Sequence, residues 1–248
     1  MKCAKNSFFV HLMVAKPAAF SPGPVLRSRT VEYVSGGRSM PIFNSFSRQG
    51  EWKWYHGAAL YIGANATTFA LERLAKRSQA HVPDHEPDKA YYRQQKRAVF
   101  APPSWAFGPA WTFNAISLIW GGLRVLNMPK RTTGRKPFLA LQTAFWLLYI
   151  AFTPLFFGLR SPILGAISTY LTLGVTAASE VVAVKQLKDK PTAFSQLSTL
   201  VWLVVASATA LTTALWNRDP FLRQPARVEP DKAWLKTDSE SRSKTAVS

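Results

Sequence analysis

Pro137-Phe-Leu-Ala-Leu-Gln-Thr-Ala-Phe-Trp-Leu-Leu-Tyr-Ile-Ala-Phe-Thr-Pro-Leu-Phe-Phe-Gly-Leu159 runs for 23 residues without Asp, Glu, Lys or Arg. An α-helix needs about 20 mostly apolar residues to cross the hydrocarbon core of a bilayer. Its flanks are cationic, with Met128-Pro-Lys-Arg-Thr-Thr-Gly-Arg-Lys136 before it and Arg160 directly after. Working outward, residues 54–71, 104–123, 161–179 and 191–217 are equally free of charge. Short links, Leu159-Arg-Ser161 and Lys185-Gln-Leu-Lys-Asp-Lys190, join the later runs. A water-soluble bundle would show charged outer faces on its helices, and five successive uncharged runs leave none. The sequence therefore predicts an all-α integral membrane protein, a multi-pass bundle of five transmembrane helices over residues 52–217. A basic N-terminal extension covers 1–51, and a polar C-terminal tail covers 218–248.

Composition agrees with this segregation. The 248 residues are 48% hydrophobic, yet the mean hydropathy is −0.02, because long polar stretches balance the apolar runs. The net charge of +18 attracts phosphate in some form. It is scattered over tails and loops rather than gathered on one helix with interleaved aromatics, which favours lipid headgroups over nucleic acid as the partner. The single cysteine, Cys3, excludes an intrachain disulfide framework. His81-Val-Pro-Asp-His85-Glu-Pro-Asp88 carries ligand-type side chains, but its prolines deny it a helical face, so it reads as a solvated acidic loop and not as a metal site. No phosphate loop, nucleophile–base pair or paired intramembrane carboxylate appears, so no catalytic residue and no enzyme activity are expected.

Smaller features refine the picture. Trp52, Trp54, Tyr55, Trp105 and Trp216 stand near run ends, where an interfacial belt places them. Ser168, Thr172, Thr176 and Ser179 form a small polar stripe on the fourth run, which suits close helix packing. Lys2, Lys5, Lys16, Arg27 and Arg29 precede the first acid, Glu32, as in an organellar targeting segment. Glu86-Pro-Asp-Lys-Ala-Tyr91 recurs as Glu229-Pro-Asp-Lys-Ala-Trp234, and Asp88 and Asp231 are each placed to cap a short helix. The two tails lack the periodic apolar surface needed to fold alone. Partner proteins are expected to order both, through Phe8, Phe9, Phe43, Phe46, Phe221 and Trp234.

Tyr92-Arg-Gln-Gln-Lys-Arg-Ala-Val-Phe-Ala-Pro-Pro-Ser-Trp-Ala-Phe-Gly-Pro-Ala-Trp-Thr112 resembles the TspO/MBR family, the tryptophan-rich sensory proteins that include the mitochondrial translocator protein. Pro102, Pro103, Trp105, Phe107, Pro109, Trp111 and Thr112 fall into the family's register. Thr153-Pro-Leu-Phe-Phe-Gly-Leu-Arg-Ser-Pro162 resembles the end of its third helix, and Ala208-Thr-Ala-Leu-Thr-Thr-Ala-Leu-Trp216 that of its fifth. The resemblance covers residues 54–217. It implies a pocket between helices for porphyrins or sterols, lined here by Phe100, Trp105, Phe107, Trp111, Tyr149 and Phe152. Lys96, Arg97, Lys130 and Arg131 are the expected lipid-headgroup contacts.

Departures from the family pattern shift the functional expectation. Phe100 takes the place of a loop tryptophan, Ala115 of a tyrosine, Tyr149 and Thr212 of asparagines, and Phe152 of a tryptophan. Trp202 lies two positions from the family's fifth-helix tryptophan. Scaffold prolines and glycines persist while polar pocket residues are lost. The expectation is a non-catalytic accessory subunit of a multi-subunit mitochondrial membrane complex, in the inner membrane and the respiratory chain, with both tails on neighbouring subunits. The alternative is a translocator-type protein that binds or transports porphyrin or sterol. No resident cofactor is expected beyond bound lipid.

Overall fold

The structure is a computed structural model that describes residues 51–78 and 88–236. Its helices are α1 (Trp54–Ser78), α2 (Asp88–Gln94), α3 (Phe107–Leu126), α4 (Arg135–Thr153), α5 (Pro162–Val182) and α6 (Lys190–Trp216). All but the seven-residue α2 match the five uncharged runs. α4 and α5 each continue through a π-helical turn, Pro154–Gly158 and Ala183–Leu187. Among the described residues, three segments are long and apolar enough to span a bilayer: Arg135–Gly158, Pro162–Leu187 and Lys190–Trp216.

Local chemistry sets each boundary. At the start of α1, His56 Nδ1 accepts from the Lys53 backbone N–H at 3.0 Å, the reach-back of a side chain in the first turn that caps an orphan donor. The Asn127 side chain, just past α3, accepts from Trp52 N at 2.9 Å and donates to Trp52 O at 2.8 Å. Pro154 has no N–H, so the Ile150 carbonyl loses its helical partner. Thr68 Oγ1 of α1 donates to that carbonyl at 3.4 Å. Ser161 caps α5 by accepting from Leu164 N. Asp189 caps α6 by accepting from Thr192 N at 3.1 Å and from the Thr192 hydroxyl at 2.5 Å.

Pro102 and Pro103 disfavour helix before them, so the sequence predicts an extended entry over Ala101–Pro109. The observed extended segment is shorter. It ends at Pro103, and a 3-10 turn, Ser104–Ala106, leads directly into the helix. Pro109 lies inside the first turn, where backbone N–H groups have no helical acceptor, so its missing donor costs nothing.

The C-terminal tail has anchors that the sequence did not announce. Residues 218–236 are tied to their own chain. Asp219 is fully buried and accepts from Ser161 Oγ at 2.5 Å and Ile163 N at 3.0 Å, at the start of α5. The Leu215 carbonyl accepts from Arg227 N and Val228 N. Farther on, Leu235 pairs antiparallel with Ala98. Val99 N donates to Trp234 O, and Lys236 N to Arg97 O. A buried carboxylate and these backbone bonds supply the ordering that composition alone could not reveal. Phe221 and Trp234 are exposed, whereas Phe8, Phe9, Phe43 and Phe46 lie outside the described residues.

Close packing between α5 and α6 matches the polar stripe, since Ser168, Thr172, Thr176 and Ser179 are all buried. Thr172 and Thr176 return their hydroxyls to carbonyls one turn back, at 2.7 Å each. Small side chains bring the backbones together while no polar group of these two threonines faces lipid unpaired.

Candidate functional site

The loop after α2 folds over the end of α3. Tyr92 donates to Pro102 O at 3.2 Å and sets its ring edge-on against Phe107, 5.5 Å between centroids. Arg97 is buried, 5% exposed, with its guanidinium 5.0 Å from the Tyr92 ring centre. It therefore does not face headgroups as expected. Lys96 stands 3.8 Å from Glu229 of the tail. Its backbone is held on both sides by Asn217, which accepts from Lys96 N at 2.8 Å and donates to Lys96 O at 3.0 Å. Lys236 adds a bond to Ala101 O at 2.6 Å.

Beneath this loop the helices share a continuous set of rings. Trp202 of α6 meets Phe107 at 5.4 Å and Trp111 at 6.4 Å. Trp111 meets Tyr149 at 5.7 Å, and Tyr149 meets Trp146 at 5.4 Å. Most contacts are edge-to-face, the arrangement that the ring quadrupole favours. Of the expected pocket residues, Phe107, Trp111 and Tyr149 are thus brought together. Phe152 joins a neighbouring stack on Phe156 at 5.7 Å. Trp105 and Phe100 point away, 74% and 44% exposed.

Polar groups at the divergent positions are used inside the protein. The Tyr149 hydroxyl donates to Asn65 Oδ1 at 3.2 Å. The Thr212 hydroxyl bonds the Ala208 and Thr209 carbonyls of its own helix, at 3.1 and 3.0 Å. Ala115 is buried in the cluster of Ala64, Leu118, Phe145 and Trp146. Other buried donors differ: among the described residues, Trp202 Nε1 and Asn114 Nδ2 are two of several that find no acceptor.

Sequence reasoning missed three contributors, Trp202, Gln142 and Gln196. Trp202, two positions from the family's fifth-helix tryptophan, joins the rings of α3. Gln142 is buried and donates to Ser179 Oγ and to Gln196 Oε1, both at 3.0 Å, linking α4, α5 and α6. An isolated amide in the middle of an apolar run was the available signal.

The TspO/MBR family model matches residues 60–217. The chain belongs to the TspO/MBR family. No curated protein matches it. The matched region of this TspO/MBR chain contains the loop, all the rings of the cleft and α3 to α6 in full. It stops at Asn217, so the strap-like tail over 218–236 lies beyond it. Among the described residues no group of three or more His, Cys, Asp or Glu could hold a metal ion, while His81 and His85 lie outside them.

Proposed function

We propose that this TspO/MBR chain is a non-catalytic scaffold that crosses the membrane five times and serves as an accessory subunit of a larger assembly. The setting we favour is the respiratory chain of the mitochondrial inner membrane. One observation carries the reading: the aromatic side chains between the helices pack on one another. Phe107 and Trp111 meet Trp202, Trp111 meets Tyr149, and Tyr149 meets Trp146, while the Tyr149 and Thr212 hydroxyls donate to protein acceptors. Ring packing of this kind supplies rigidity in place of a ligand site. The basic N-terminal segment supports an organellar address. Extraction in mild detergent followed by native electrophoresis tests this. The expected result is migration with a multi-subunit assembly; a monomer or small homo-oligomer would remove the subunit reading.

A second reading has its own observation. Trp202 Nε1 and Asn114 Nδ2 are buried donors without an acceptor, and a buried unsatisfied donor costs about 1–3 kcal/mol. A flat hydrophobic ligand carrying an acceptor, such as a porphyrin or a sterol, would satisfy one of them. Titration with protoporphyrin, read by tryptophan quenching, decides between the two. Affinity tighter than about 1 μM that is lost in Trp202→Phe would place ligand binding first.

A further inference from the structure

We propose that the bundle end formed by the α3–α4 and α5–α6 connections is a binding site for anionic phospholipid headgroups. The two connections touch. Gly134 has φ +82°, and a Cβ there would lie 2.7 Å from Gln186 Cβ and 3.0 Å from Leu187 N. This contact gathers Lys130, Arg131, Lys136, Lys185, Lys188 and Lys190 at one end of the molecule, all exposed.

Two other arginines at the same end, Arg124 and Arg135, are turned inward. Arg124 grips the Asp189 carboxylate through two bonds, at 2.7 and 2.8 Å. Arg135 donates to the Val125 and Leu126 carbonyls at the end of α3, at 3.2 and 3.0 Å. Asp189, which stands between Lys188 and Lys190 in the sequence, is therefore already neutralised. α4 starts here with no acid in its first turn and no side-chain cap, so the positive end of its dipole is uncompensated.

Position selects the partner. Lys136 and Lys190 open α4 and α6, and Lys185 lies in the final turn of α5. All three helices are apolar enough to span a bilayer. Lysines at the ends of such helices extend their stems along the apolar surface and hold their ammonium groups at headgroup depth. Each cation near an anionic surface strengthens binding about fivefold.

The test uses full-length protein, delipidated in neutral detergent and titrated with phosphatidylglycerol or phosphatidylcholine under native mass spectrometry. In a variant carrying Lys130→Gln, Arg131→Gln, Lys185→Gln and Lys188→Gln, phosphatidylglycerol binding should weaken at least tenfold, with phosphatidylcholine binding unchanged. The charge-matched control carries Lys96→Gln, Arg218→Gln, Arg227→Gln and Lys232→Gln at the opposite end, and it should bind within twofold of the parent. Should the fourfold variant fail to fold, the pair Lys130→Gln and Lys188→Gln should still show a loss of several-fold. Unchanged binding in either patch variant would overturn the site, as would equal losses in patch and control variants. Displacement of the lipid by millimolar inorganic phosphate or by an acidic peptide would overturn the choice of partner.

Discussion

Gly121 faces Ser195 where α3 crosses α6, and a Cβ at that position would lie 2.0 Å from Ser195 Oγ and 3.0 Å from Ser195 Cβ. Ser195 cannot swing aside freely, because its hydroxyl donates to Thr192 O at 2.6 Å. Gly121→Ala must therefore push the helices apart. We expect a loss of about 1–3 kcal/mol, measured by unfolding in mixed micelles with increasing SDS, whereas Gly122→Ala meets open space and should not destabilise. Asp189 offers a second single-residue test. Burial raises its pKa, but hydrogen bonds from Arg124 and Thr192 outweigh that and hold it below its ordinary value of 3.8. The charged form is thus favoured on folding, so its contribution is complete above the unfolded value and disappears as pH falls through the folded one. Thermal stability in detergent should drop below about pH 4. Asp189→Asn should be less stable than the parent at pH 7 and should lose part of that acid dependence.

At the scale of elements, Asp219 connects three pieces that are far apart in sequence. It caps α5 through Ser161 and Ile163, accepts from Leu222 N at 2.8 Å, and starts the tail that returns to the α2–α3 loop. Its charge, behind burial itself, also helps to raise the Tyr91 hydroxyl above its ordinary range, so Tyr91 stays protonated and donates to Arg160 O at 3.0 Å. Asp219→Ala removes an acceptor from several buried donors, at a cost of roughly 2–4 kcal/mol. It should also release the tail, so that trypsin cuts after Lys96 and Arg97 at least several times faster than in the parent. Stability loss without faster cutting would mean that the loop is held independently of the tail. None of this was visible in the sequence, because one aspartate in a polar tail carries no periodic signal. The helices themselves were legible, since charge-free runs and flanking lysines report the apolar medium directly. Helix rotation was not, which is why Trp202 and the Gln142–Gln196 bond escaped: ring contacts depend on crossing geometry that no spacing rule specifies.

At the scale of the whole molecule, the number of crossings follows from how the polar ends are arranged. α4, α5 and α6 carry spans by composition alone, while α1 and α3 are less apolar. α1 ends in Glu72, Arg73, Lys76 and Arg77, with Glu72 buried and paired to Lys76 one turn away. Those charges cluster in its last two turns, which leaves residues 54–71 free to cross. α3 carries one charge, Arg124, in its last turn, already bonded to Asp189. The five crossings proposed above would put the α3–α4 and α5–α6 connections on one side of the membrane and the α2–α3 loop, with the C-terminal tail, on the other. If α1 and α3 stayed outside the bilayer, residues 100 and 131 would share a side. Single cysteines in a Cys3→Ser background distinguish the two, using Phe100→Cys, Arg131→Cys, Lys188→Cys and Lys232→Cys. With a membrane-impermeant maleimide added to sealed, oriented vesicles, positions 131 and 188 should label together and positions 100 and 232 only after permeabilisation, or the reverse. Labelling of 100 and 131 from the same face would reduce the crossings to those of α4, α5 and α6, and α1 and α3 would then lie at the membrane surface.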